Sequence, residues 1–140
     1  MKLLLLLGLL AAAFFGTAAG PPSLAGTIRA AKWKKRVLLV AASSPDDADF
    51  QKQKQLLAAT PSGLQARDML VLDVLPDQLA PADRQYLQQQ LHLKLSGFEV
   101  VLIGKDGGVK ERSTRPLTPE ALFGTIDKMP MRRQEMRRGQ

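Results

Sequence analysis

The sequence contains no cysteine and only one histidine, His92. Without thiols it cannot form disulfide bonds or cysteine-ligated metal sites, and it cannot carry out thiol redox chemistry. One histidine leaves almost no room for a histidine-based metal site or a serine–histidine–aspartate triad. We therefore predict no catalytic residues, no metal site and no cofactor.

Acidic residues are scarce at both ends of the chain, so its net charge of +7 is uneven. The body from Ser43 to Lys128 holds ten basic and twelve acidic residues and is close to neutral. The excess positive charge lies in the block from Arg29 to Arg36 and in the last eleven residues. The candidate anion-binding residues are Lys32, Lys34, Lys35, Arg36, Arg132, Arg133, Arg137 and Arg138.

The N-terminus has the layout of a secretory signal peptide. Lys2 precedes a 14-residue apolar run, Leu3 to Gly16, and small residues follow it. We predict a signal peptide over residues 1–19, with cleavage after Ala19 and a periplasmic or secreted location. The alternative is an uncleaved anchor, but the run is shorter than the ~20 residues that span a bilayer. We expect no transmembrane span after processing, and a linker over residues 20–31.

Four segments have the composition of β-strands. The continuous apolar run Val37–Ala42 predicts a buried central strand, and Met69–Leu75 predicts a second strand parallel to it. Phe98–Ile103 leads through Asp106-Gly107-Gly108 into a charged segment around Lys110. Asp-Gly and Gly-Gly supply the positive φ angles of tight turns, so this stretch predicts a β-hairpin with an edge strand.

Three helices are expected between and after these strands. The first runs from about Asp46 to Ala59, with Ser44 as its cap, and is half-exposed because Gln53 interrupts its apolar face. The second opens at Pro81 and carries His92, and the third follows a cap at Thr118.

The resulting order is β-α-β-α-β-β-α, an α/β fold with a four-stranded mixed sheet and helices on both faces. This is the thioredoxin-like core, with the expected strand order 2-1-3-4. We place this domain at residues 32–129 and a basic tail at 130–140.

Three segments resemble one family, domain of unknown function 4174. They are Trp33–Leu39, the hairpin Gly97–Lys110, and Ile126–Arg133 with its Met-Pro-Met-Arg-Arg motif. The family occurs in small exported bacterial proteins and in animal secreted matrix proteins. The resemblance implies a thioredoxin-like fold related to peroxiredoxins and an extracytoplasmic compartment, and it implies no established activity.

The polar residues after the first predicted strand each have a simple structural explanation. Thioredoxins carry reactive cysteines there, whereas this chain has Ser43 and Ser44, which cannot supply a thiolate. Helix capping explains Ser44, although a serine nucleophile is the alternative. Asp46, Asp47 and Asp49 are expected in a first helical turn because of the helix dipole, and a cation site is the alternative.

Trp33 and the C-terminal arginines have two interpretations each. Trp33 is either an aromatic plug leading into the first strand or, with the lysines around it, an aromatic contact for polyanions. The arginines after Pro130 are either a solvated tail or an anion-binding arm.

From these features we predict an exported, non-enzymatic binding module. Its basic flanks would contact an anionic surface such as lipid head groups, lipopolysaccharide or another polyanion. The alternative is an extracytoplasmic oxidoreductase-like enzyme that acts without cysteine. Nucleic-acid binding fits the basic charge but conflicts with the export signal, and the sequence identifies no protein partner.

Overall fold

A computed structural model describes residues 23–140 of the chain. Its helices and strands, in chain order, are α1 (Leu24–Ala31), β1 (Arg36–Ala41), α2 (Ala48–Ala58), α3 (Pro61–Ala66), β2 (Met69–Val74), α4 (Pro81–Gln89), β3 (Glu99–Ile103), β4 (Val109–Ser113), α5 (Pro119–Asp127) and α6 (Pro130–Arg138). A 3₁₀ turn at Pro76–Gln78 leads into α4. The predicted signal peptide and its cleavage site lie outside the described residues.

The four strands form one mixed sheet in the order β2-β1-β3-β4, which confirms the expected order. β1 pairs in parallel with β2 and antiparallel with β3, and β3 pairs antiparallel with the edge strand β4. The predicted hairpin turn is also confirmed. Gly107 has a φ of 84° there, a conformation that glycine adopts without steric cost.

Every residue of β1 is buried, because helices cover both faces of the sheet. Val37, Leu39 and Ala41 pack into the cluster that contains Ile28 and Ala31 of α1 and Leu87 of α4. Leu38 and Val40 pack on the opposite face with α2 and α5. The side chains alternate between two apolar layers, as expected for a strand at the centre of a thioredoxin-like sheet.

The prediction of a linker over residues 20–31 is wrong for the part that forms α1. Ile28 and Ala31 are buried in the core, so this helix covers one face of the sheet. The carboxylate of Asp83 on α4 accepts hydrogen bonds from the first two backbone N–H groups of α1, each at 3.0 Å. The helix is therefore stabilised by a contact with a residue almost 60 positions later in the chain.

Two expectations about α2 need correction. Asp47, not Ser44, is its cap and accepts a hydrogen bond from the N–H of Phe50 at 2.9 Å. The helix is half-exposed as expected, since six of its eleven residues are exposed, but Gln53 is not the cause, because its side chain is fully buried. Its amide bonds both the N–H and the carbonyl of Leu117, at 2.7 and 3.0 Å.

The later helices follow the predictions more closely. The Thr118 cap of α5 is confirmed, since its hydroxyl accepts a hydrogen bond from the N–H of Ala121 at 3.2 Å. α4 ends at Gln89, so His92 does not lie on a helix as expected. It is an exposed residue with a φ of 55° in the segment that leads to β3.

Candidate functional site: a groove beside Trp33

The carboxyl end of β1, where thioredoxins carry their cysteines, is occupied by local turn contacts. The Ser44 hydroxyl accepts a hydrogen bond from the N–H of Asp46 at 3.1 Å, and Asp47 caps α2. Between residues 23 and 140, no group of three or more histidine, cysteine or acidic side chains could hold a metal ion.

The amino end of β1 lies about 17 Å away, at the strand rise of ~3.3 Å per residue, and its contacts are different. Arg36 is only 1% exposed there. Its guanidinium donates two hydrogen bonds to the carboxylate of Glu135, at 3.1 Å each, and one to the carbonyl of Arg67 at 3.0 Å. This paired contact fixes α6 to the start of the central strand.

Lys105 joins the same carboxylate from the end of β3. Its Nζ lies 2.6 Å from Oε1 of Glu135 and 2.8 Å from Oδ2 of Asp68, and its side chain is 9% exposed. Asp68 immediately precedes β2. The starts of β1 and β2, the end of β3 and helix α6 are thus connected by ion pairs at one end of the sheet.

Asp127, at the end of α5, extends the cluster on the other side. Its carboxylate accepts two hydrogen bonds from Arg67, at 3.0 and 2.8 Å, and one from Arg132 at 3.0 Å. Arg132 also lies 3.8 Å from Glu135, which links the two halves. We call this cluster the Glu135 network; its members are Arg36, Arg67, Asp68, Lys105, Asp127, Arg132 and Glu135.

The cations of the Glu135 network keep its three carboxyl groups ionised. Burial by itself raises the pKa of Glu135, but the hydrogen bonds and charges of Arg36 and Lys105 outweigh it and hold that pKa below its usual value. The hydrogen bond from Lys105 lowers the pKa of Asp68. The hydrogen bond from Arg67, with a smaller contribution from Arg132, lowers the pKa of Asp127.

Two of the eight candidate anion-binding residues therefore have internal roles. Arg36 is buried against Glu135, and Arg132 bonds Asp127 and the carbonyl of Ala66. The interpretation of residues 130–140 as a solvated tail is wrong for α6, which these contacts attach to the domain. Among residues 23–140, no salt bridge involves the other six candidates, which are Lys32, Lys34, Lys35, Arg133, Arg137 and Arg138, and all six are exposed.

A groove of about 440 Å³ opens beside the Glu135 network. We call it the Trp33 groove; its lining residues are Trp33, Arg36, Gly104, Lys105, Asp106, Lys110, Met129, Pro130 and Met131. They come from the loop before β1, from the β3–β4 hairpin and from the junction of α5 and α6. These are the same three segments that carry the family resemblance.

Trp33 holds an unusual position at the edge of this groove. It is 62% exposed and has a φ of 68°, which costs a residue with a β-carbon roughly 1 kcal/mol. Its backbone N–H donates a hydrogen bond to the carbonyl of Lys105 at 2.6 Å. The loop is thereby attached to the hairpin in a conformation that leaves the indole largely in solvent. Trp33 is therefore not an aromatic plug leading into the first strand, which was one of its two interpretations.

The two basic blocks of the sequence meet at this end of the molecule. The Lys32 ammonium lies 5.5 Å from the Trp33 ring centroid, and its aliphatic stem lies against the hairpin turn at Gly107. On α6, Arg133 and Arg137 lie beside a second depression, which Met136 also lines. The Arg36–Glu135 ion pair joins the two blocks, but the arginines of α6 do not line the Trp33 groove itself.

The sequence alone did not reveal the acidic half of the Glu135 network. Asp68, Asp127 and Glu135 are distant from one another in the chain, and no local pattern connects them. One signal was present, because Glu135 is the only acidic residue among the last twelve residues. A single carboxylate among four arginines is a candidate partner for a buried cation.

None of the helices between residues 23 and 140 has the length and apolar character needed to cross a bilayer.

Among solved structures, the chain is similar to the reduced 2-Cys peroxiredoxin of Plasmodium vivax, with a TM-score of 0.55 and 13% identity, over 76% of this chain and 83% of that one. At this identity the likeness shows the fold alone, and that fold is thioredoxin-like, as expected.

Curated relatives include Sushi repeat-containing protein SRPX2 of Bos taurus, 30% identical over 114 residues, and Sushi repeat-containing protein SRPX of Rattus norvegicus, 32% identical over 114 residues. Each match covers 74% of this chain but only 24% and 25% of the relatives. The chain thus spans about a quarter of the length of these relatives. The family model described as Domain of unknown function (DUF4174) matches residues 27–135. Because this match covers most of the chain, including all three segments around the Trp33 groove, the chain belongs to that family.

Proposed function

We propose that this chain is an exported, non-enzymatic binding domain that attaches to an anionic surface of the cell envelope or matrix. The observation that carries the proposal is the Arg36–Glu135 ion pair. It joins the two basic blocks through Arg36 and Glu135, which are 99 residues apart in the chain. Attraction to polyanions then comes from one end of the fold, through exposed cations around Trp33 and on α6.

The chemistry of the chain supports binding over turnover. There is no cysteine, and at the end of β1 that is reactive in thioredoxins the Ser44 hydroxyl is engaged in a turn with the N–H of Asp46. No contact within residues 23–140 favours the alternative of a cysteine-free oxidoreductase. The exported location rests on the signal-peptide pattern of residues 1–19.

The test compares two triple variants that remove the same charge from different places. The first replaces three arginines of α6, Arg133→Gln, Arg137→Gln and Arg138→Gln. The matched control replaces three exposed cations of the body, Lys52→Gln, Lys94→Gln and Arg115→Gln. Both lower the net charge by three, so any difference between them reports the position of the charge.

We expect the parent protein to bind immobilised heparin and anionic liposomes at low salt. Binding should weaken steeply with salt, because the Debye length falls from ~10 Å at 0.1 M to ~3 Å at 1 M. The α6 variant should elute from heparin at clearly lower salt than the control variant. Equal elution of the two variants would mean that retention reports net charge alone, and the proposal would be wrong.

A further inference from the structure

The walls of the Trp33 groove have the composition of a protein interface. Trp33, Met129, Pro130 and Met131 supply apolar surface. Tryptophan and methionine are enriched at interfaces, and methionine adapts its shape to different partners. An exposed tryptophan beside an apolar groove is therefore better explained by a partner than by the needs of the isolated domain.

The charge at the base of this groove is positive. The Glu135 network contains four cations and three carboxylates, and two of those cations, Arg36 and Lys105, line the groove. The Nε atom of Arg36 is buried without a hydrogen-bond partner. At the rim, Lys32 stacks on Trp33, whereas Lys110 is paired with Asp106. A ligand that brings negative charge together with an apolar group complements this arrangement.

The shape of the groove favours a side chain over a flat lipid surface. It is a half-open concavity lined by the loop before β1, by the hairpin turn and by the α5–α6 junction. A flat bilayer surface lies over such a concavity, whereas a bulky side chain enters it. The surrounding cations then contact acidic residues on either side of that side chain.

We propose that the Trp33 groove binds one bulky apolar side chain, such as leucine or phenylalanine, presented by an acidic peptide segment of a partner protein. The inference rests on the proposed binding function and names the partner of the same end of the molecule. The exposed cations around Trp33 and on α6 supply attraction to negative charge, and the groove supplies selectivity for one side chain.

The chain offers a direct optical test, because Trp33 is its only tryptophan. The probes are three blocked heptapeptides with three glutamates on each side of a central leucine, phenylalanine or alanine. Titration at low salt should move the Trp33 emission to shorter wavelength with the leucine and phenylalanine peptides. We expect these two to bind at least tenfold more tightly than the alanine peptide.

A matched pair of methionine variants locates the effect. Met131→Gln changes the wall of the groove, whereas Met136→Gln changes an exposed methionine of the same helix outside it. The tenfold preference should disappear in the first variant and persist in the second. Equal loss in both, or equal binding of the leucine and alanine peptides by the parent, would overturn the groove inference.

The same titrations separate this inference from the proposed function. If heparin and the alanine peptide bind but leucine adds nothing, the polyanion function stands and the groove inference fails. If neither heparin nor any peptide binds at low salt, the proposed function itself fails. If phosphatidylglycerol vesicles shift the Trp33 emission while all three peptides leave it unchanged, the occupant is a lipid and the peptide proposal is wrong.

Discussion

The two ends of β1 differ in how far their polar residues reach. At the carboxyl end, Ser44 and Asp47 bond backbone groups two or three residues away and complete a turn and a helix cap. At the amino end, Arg36 bonds Glu135 from 99 residues away, and Lys105 bonds Asp68 from 37 residues away. The first end closes a local structure, whereas the second assembles several elements.

This difference indicates where a thioredoxin-like fold can carry a function once its thiols are absent. The sheet order and the two apolar layers match the fold, and a shared fold does not fix the position of a site. In this chain the exposed tryptophan, the apolar groove and the long-range ion pairs all occur at the amino end of β1. Substitutions at each end separately therefore test whether the amino end holds several elements together while the carboxyl end only completes a local structure.

The largest effect is expected from Glu135→Gln. The substitution removes one carboxylate that pairs with both Arg36 and Lys105, which are 1% and 9% exposed. Removing one partner of a buried ion pair typically costs 3–5 kcal/mol; because Glu135 itself is 23% exposed, we expect about 3 kcal/mol. Urea denaturation followed by circular dichroism measures this loss in the free energy of unfolding.

The matched control for that variant lies at the other end of β1. Asp47→Ala removes the cap of α2, and loss of a cap costs about 1 kcal/mol. The expected order is therefore a larger loss for Glu135→Gln than for Asp47→Ala. The reverse order, or no loss for Glu135→Gln, would mean that α6 is a solvated tail after all.

The second effect is a loss of stability in acid. Asp68, Asp127 and Glu135 have pKa values below their ordinary values of 3.8, 3.8 and 4.5 in the folded protein. At pH values between the lowered pKa of each group in the folded protein and its ordinary pKa, the unfolded chain binds more protons than the folded one. Acid therefore favours unfolding. The free energy of unfolding should be nearly constant from pH 7 to about 5 and should fall as the pH drops below about 4.5.

Urea midpoints measured at intervals between pH 7 and pH 2.5 check this expectation. The Glu135→Gln variant has one fewer of these carboxyl groups, so its midpoint should fall less steeply below pH 4.5 than that of the parent. Parallel curves for the two proteins would show that Glu135 does not couple protonation to folding.

The local patterns of the sequence were sufficient for the sheet and its order. The apolar run Val37–Ala42 marked the central strand, and Asp106-Gly107-Gly108 marked the hairpin turn, because both depend on neighbouring residues. Helix α1 was missed although Leu24, Ile28 and Ala31 have helical spacing and Ser23 caps it locally. Only the contact of its first N–H groups with Asp83, far along the chain, has no local signal.

The candidate site was only partly predictable for the same reason. The charge distribution pointed to the two flanks, and Trp33 was one candidate contact residue; binding by these residues stays a prediction. The internal carboxylate partners of Arg36 and Arg132 could not be predicted, because tertiary structure fixes the positions of those carboxylates. An arginine in a basic block has the same local sequence signal whether it binds a ligand or a buried glutamate.

The smallest effect on stability is expected from Trp33→Asn, and it tests the interpretation of Trp33 as a binding residue. Asparagine adopts positive φ angles more readily than tryptophan, which recovers part of the roughly 1 kcal/mol cost of the loop conformation. Against this, the variant loses the buried third of the indole and its contact with Lys32, worth about 1 kcal/mol. The two terms nearly cancel, so urea denaturation followed by circular dichroism should give a free energy of unfolding within about 0.5 kcal/mol of the parent.

A loss of 2 kcal/mol or more would return Trp33 to the role of an aromatic plug. With stability unchanged, calorimetric titration should show that the variant no longer distinguishes the leucine peptide from the alanine peptide, because the indole that lines the groove is missing.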